Sequence, residues 1–97
     1  MCRVIKVTGV SLKPIIEEGD FVLVLKIPFF FLRSGDIIVF RHDPYGTMIK
    51  LVDEVSRKEG TVFAVGTHPS STDSRAFGPV PRKDIIGKVI WHVRERM

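Results

Sequence analysis

The chain has 97 residues, of which 44% are hydrophobic and 27% charged, and its formal net charge is +4. That length gives one ordinary domain with a real core and little room for another, so residues 1–97 are expected to form a single domain. The composition excludes a disordered chain.

The lone Cys2 has no partner for an internal disulfide. Met1-Cys2-Arg3-Val4 lacks the long apolar segment of a secretory signal. The longest apolar run, residues 21–32, falls short of the ~20 residues a membrane-spanning helix needs, and Lys26 and Pro28 interrupt it. A cytoplasmic chain without a transmembrane anchor is expected. The positive charge reads as a solvated basic surface or as attraction to anionic lipid, nucleic acid or an acidic partner. Because no aromatic and basic stacking platform is evident, nucleic acid is not an expected partner.

Short β-rich runs separated by turn residues recur along the chain, and no long stretch has helical periodicity. The pattern predicts strands over 3–7, 21–26, 36–41, 48–55, 61–65 and 85–93, with one turn of helix after Pro14 and a long turn-rich segment over 66–81. An all-β sandwich or barrel follows.

Chemistry first suggests itself at Ser11, between the permissive Gly9 and the rigid Pro14. Glycine and proline specify such a turn tightly, and by itself Ser11 reads as a turn residue. Phe29, Phe30 and Phe31 stand in a row, so strict alternation turns at least one of them away from the core. They fill the core or form an exposed lip for a membrane surface, a peptide or another subunit.

Lys50 is the odd residue in Met48-Ile49-Lys50-Leu51-Val52, a strand otherwise apolar on both faces, where it shares a side with Met48 and Val52. Two readings stand at this position. The amine snorkels to water and pairs with Asp53 or Glu54, or it is desolvated and serves as a neutral general base. Lowering a lysine from ~10.4 to ~7–8 corresponds to roughly 3–5 kcal/mol, within reach of burial. With His42 and His92 scattered and no ligand spacing, His68 reads as a surface histidine in preference to a catalytic or metal residue.

Three blocks stand in order along most of the chain: Gly9-Val10-Ser11-Leu12-Lys13-Pro14 with Gly19-Asp20-Phe21-Val22; Ser34-Gly35-Asp36-Ile37 with Ile49-Lys50-Leu51-Val52; and Ser70-Ser71-Thr72-Asp73-Ser74-Arg75-Ala76-Phe77-Gly78-Pro79-Val80-Pro81 with Ile86-Gly87-Lys88-Val89. Their order and spacing resemble the type I signal peptidase family of serine proteases. The resemblance implies a mostly β catalytic fold of coiled antiparallel sheets. It also implies a Ser/Lys dyad in which Ser11 is the nucleophile and Lys50 the general base, the Ser11 N–H helping to hold the oxyanion. It gives Ser71 the task of orienting Lys50, makes Asp73 and Arg75 a pair that braces the site, and places Gly9 where some members carry a hydroxyl donor.

This sequence departs from the family pattern at Leu12, where Met is usual, and at Leu51, where an arginine often follows the lysine. Gly66-Thr67-His68-Pro69 replaces the usual opening of the third block. Within the family, the small size and the wording of residues 69–81 resemble most the nickel-type superoxide dismutase maturation proteases. The resemblance therefore implies a cofactor-free endopeptidase that binds an extended peptide beside a strand and removes an N-terminal leader from a precursor. A self-cleaving repressor-like peptidase domain and a non-catalytic basic β-barrel binding module are the alternative readings.

Overall fold

The computed structural model describes residues 2–7, 16–43, 45–68 and 72–94. Seven strands are described: β1 (Cys2–Lys6), β2 (Phe21–Leu25), β3 (Ile37–His42), β4 (Gly46–Ser56), β5 (Thr61–Val65), β6 (Val80–Pro81) and β7 (Ile85–Val93), with a short helix α1 (Ser74–Phe77). They form one antiparallel sheet in the order β1-β2-β7-β3-β4-β5-β6. The all-β expectation holds, and every strand foreseen in the sequence is present. The expected turn of helix after Pro14 lies outside the described residues.

Period-two alternation explains how one sheet builds two cores. Ile38 and Phe40 of β3 and Val52 of β4 face a cluster with Leu32, Val62, Ala64 and Val80. Val39 of β3 turns the other way, into a cluster with Val7, Ile16, Val22 and Val24, against which Ile49 and Leu51 of β4 pack. The central strands β3 and β4 are thus covered on both faces, which is why they read as nearly continuous apolar runs. Strands β1 and β2 and the end of β7 leave one face open: Val4, Leu23 and Trp91 are aligned across them on the side opposite Val22 and Val24, with Val4 and Trp91 exposed.

Bulges keep this alternation in step with the cores. Val52 pairs with Ala64 and Val55 with Val62, so β4 needs one residue more than β5, and Asp53 is the extra one. Asp53 and Glu54 are exposed as a result, while Val55 returns to the cluster. Similar shifts occur where β7 meets β2 and β3.

The aromatic run 29–31 divides between the two fates foreseen for it. Residues Phe29–Phe31 form one turn of 3-10 helix after Pro28. Phe29 packs against the first cluster, whereas Phe30 and Phe31 are 62% and 58% exposed and meet edge to face at 4.7 Å. Among the described residues no helix is long and apolar enough to cross a membrane.

Gly87 is required by close packing. A Cβ there would lie 2.7 Å from Val24 Cγ1 and 2.8 Å from the Leu25 carbonyl oxygen, so β7 could approach β2 only by displacing backbone. Gly87→Ala is expected to destabilise the protein by about 1–3 kcal/mol, read as a lower urea midpoint with an unchanged denaturant slope.

Candidate active site

The site is built around Lys50 in the doubly covered centre of the sheet. Lys50 pairs with Ile38 of β3 and sits between Met48 and Val52, both on the first-cluster side. It is 2% exposed, so it does not snorkel toward Asp53 or Glu54, which are exposed themselves. Burial pushes the Lys50 amine below its ordinary value; the Asp73 carboxylate partly opposes that shift, and the Arg75 guanidinium adds to it.

Asp73 and Ser74 complete the edge of β5. β6 pairs with β5 only at Thr61 and Val62, so the edge donors further along need other acceptors. Ser74 Oγ accepts the Ala64 N–H at 2.9 Å, and Asp73 Oδ2 accepts the Gly66 N–H at 2.7 Å. These side chains continue the edge at two-residue spacing, as a neighbouring strand would. Asp73 also caps α1 by accepting the Arg75 N–H at 3.1 Å. Gly78 ends that turn with φ +89°, its N–H donating to the Ser74 carbonyl oxygen at 2.8 Å.

The Arg75 side chain closes the same network. Its Nε donates to Asp73 Oδ1 at 3.0 Å, its Nη2 to Asp73 Oδ2 at 2.6 Å, and Nη2 also reaches the Gly66 carbonyl oxygen at 3.4 Å. Burial alone would raise the Asp73 carboxyl. The Arg75 guanidinium and the Gly66 and Arg75 N–H groups outweigh it and hold the carboxyl well below the usual carboxylate range. Asp73 is therefore a fixed negative charge near Lys50 across the neutral range.

A cavity of about 400 Å³ opens beside Lys50, lined among others by Val7, Tyr45, Thr47, Met48 and Thr72. The tip of the β3–β4 hairpin is braced on α1: the His42 ring lies 4.1 Å from that of Phe77, and the Tyr45 ring lies 6.0 Å from it. Val7 brings the end of β1 to the same cavity, and the segment 8–15 that contains Ser11 follows it directly in the chain.

Of the sequence-derived site residues, the structure brings together Lys50, Asp73 and Arg75, while Ser11, Gly9 and Ser71 lie outside the described residues. Thr72, Ser74 and Tyr45 were missed. Ser74 had a legible signal, because Asp73 before a short apolar turn and Gly78 reads as a cap. Tyr45 had none, since its place depends on stacking with a distant element. His42 stacks on Phe77, and His92 makes a 2.7 Å contact with Asp20.

Two stability tests follow from these charges. A buried lysine with a lowered pKa binds its proton less tightly folded than unfolded, so its destabilising effect is full below the folded value and fades as pH rises toward ~10.4. Lys50→Met should therefore match or exceed wild type in urea midpoint near neutral pH, with any gap narrowing toward pH ~10. Asp73 has the opposite sign: its stabilisation is present above the unfolded value of ~3.9 and is lost as pH falls through the depressed folded value. Asp73→Asn should lower stability by about 1–2 kcal/mol at pH 7, a modest loss because Arg75 is 61% exposed, with the gap closing in acid.

No curated protein matches the chain. Residues 48–93 match the family model described as signal peptidase, peptidase S26, a span that holds Lys50, Asp73, Ser74, Arg75 and Gly87, and this similarity supports a signal-peptidase-like serine peptidase.

Proposed function

We propose that the protein is a serine endopeptidase in which Ser11 is the nucleophile and Lys50 the general base, and that it removes an N-terminal leader from a precursor protein. The observation that carries this reading is the buried amine of Lys50, lowered by desolvation beside a cavity and lying within the segment similar to signal peptidases. Structural lysines seldom occupy such a position, because an ammonium ion there is costly. A base that must be neutral near physiological pH gains its function from that same cost.

The chemistry relays two protons in turn through one amine. Neutral Lys50 Nζ takes the proton from Ser11 Oγ as the oxygen attacks the scissile carbonyl carbon. The resulting ammonium gives that proton to the leaving amine when the tetrahedral intermediate collapses to the acyl-enzyme. Water then attacks the ester carbonyl, with Lys50 again accepting the proton and returning it to Ser11 Oγ. The Asp73 charge favours the ammonium in both halves, while burial favours the free amine that must take the proton.

The substrate would lie extended along the sheet, its main chain hydrogen-bonded to a strand and its side chains entering the cavity lined by Tyr45, Met48 and Thr72. The wording of residues 69–81 favours a precursor of the nickel-type superoxide dismutase kind. The proposed enzyme needs no metal for the reaction.

Incubating wild type, Ser11→Ala and Lys50→Ala with a peptide library and reading cut sites by mass spectrometry tests this. Both variants should lose at least ~10²–10⁴-fold in cleavage, the range a positioned base contributes. Wild-type kcat/KM should rise with pH as Lys50 loses its proton, because the free amine is the working form. Cleavage that persists equally in both variants would remove the dyad.

A further inference from the structure

We infer that His92 is a positioning residue for the nucleophile segment, acting through Asp20. The inference rests on the peptidase reading for its catalytic consequence and on the described geometry alone for its structural part. Segment 8–15, which contains Ser11, is bounded by Val7 and Ile16. Its neck is closed by two backbone hydrogen bonds: the Val7 N–H donates to the Asp20 carbonyl oxygen at 2.8 Å, and the Gly19 N–H donates to the Val7 carbonyl oxygen at 2.9 Å. The returning limb is folded on itself at the same residue, with the Asp20 N–H donating to the Glu17 carbonyl oxygen at 3.0 Å and the Glu17 N–H donating to Asp20 Oδ2 at 3.0 Å.

Asp20 is buried, and its carboxylate accepts the Glu17 N–H. His92 supplies another from β7, far away in sequence: its Nε2 lies 2.7 Å from Asp20 Oδ2. An ionised carboxylate only accepts hydrogen bonds, so this contact to Asp20 as a carboxylate requires the Nε2–H form of His92. β7 is one of the long strands of the sheet, pairing with both β2 and β3, and His92 is aligned with Val22 of the second cluster. Through His92 the turn at residues 16–20 is fixed to that framework. β1 alone would hold the neck poorly, because it is an edge strand with mostly exposed residues.

The consequence concerns orientation more than affinity. Ser11 must reach Lys50 within hydrogen-bond distance, and Lys50 is held by the central strands. A neck that shifts by a fraction of an ångström moves Val7 and Ile16, which bound segment 8–15, relative to Lys50, whereas Tyr45, Met48 and Thr72, proposed to receive substrate side chains, belong to other elements. Loss of His92 should therefore lower kcat and leave KM nearly unchanged.

His92→Leu keeps much of the side-chain volume and removes the donor, whereas His92→Gln offers an amide N–H in its place. Hydrogen exchange on both variants reads the neck directly, and cleavage of a library-derived peptide well below the melting temperature reads the site. The expected result is faster exchange at Val7 and Gly19 in His92→Leu, a kcat lower by about 10–100-fold with KM within about twofold, and recovery of both in His92→Gln. Unchanged exchange at Val7 and Gly19, or unchanged kcat in His92→Leu, overturns the inference. A kcat loss that Gln fails to restore does so as well. If wild type cleaves no peptide, the peptidase reading fails, and exchange at the neck alone then decides whether His92 holds it.

Discussion

A lysine amine buried at the centre of a sheet sets the terms for everything around it. An isolated ammonium ion there is costly, and a protein can meet that cost by releasing the proton, by supplying a counter-charge, or by both. Here burial lowers the Lys50 pKa and the Asp73 carboxylate draws it part of the way back. The amine is thus subject to opposed pulls, burial favouring the neutral form and Asp73 the ammonium. General base catalysis needs that condition, since a group that never gives up its proton cannot take another and one that never holds it cannot pass it on.

The fold follows from keeping such a residue dry and fixed. Covering β3 and β4 on both faces requires two clusters, and one sheet can supply both because its flanking strands and loops pack on opposite sides of the shared pair. The bulge at Asp53 keeps Val52 and Val55 on one side and turns the acidic pair Asp53 and Glu54 outward, away from Lys50. Had the strand remained regular, Glu54 would have shared the Val52 face and brought a second carboxylate into the first cluster. The irregularity thus protects the core and leaves Asp73 as the carboxylate whose charge bears on Lys50.

The strands were legible because alternation and turn residues act over a few neighbours, and so was the unusual character of Lys50, since a single amine in an apolar strand is visible without tertiary information. Its partner was harder to choose. Asp53 and Glu54 were nearer in sequence, but a bulge set by the needs of Val62 and Ala64 removed them. The strand β6 and the helix α1 were missed for a similar reason: two residues of strand and one turn of helix have too little periodicity to show, and both exist because the edge of β5 needs acceptors. Phe29, Phe30 and Phe31 were foreseen as core or lip. The 3-10 turn, in which neighbouring side chains diverge, made them both. His92 carried no local sign of its contact, since its partner Asp20 lies across the whole chain.

Arg75 gives the network its balance. The Asp73 carboxylate favours the ammonium form of Lys50 and so opposes the larger effect of burial. Arg75 engages both Asp73 oxygens, and its own charge disfavours the ammonium form of Lys50. On Lys50 the pair therefore pulls in opposite directions, Asp73 toward the ammonium and, to a lesser extent, Arg75 toward the free amine. Leu51 fits the same arrangement. Its side chain packs into the second cluster, on the face of β4 opposite Lys50, and leaves Asp73 and Arg75 to set the local field.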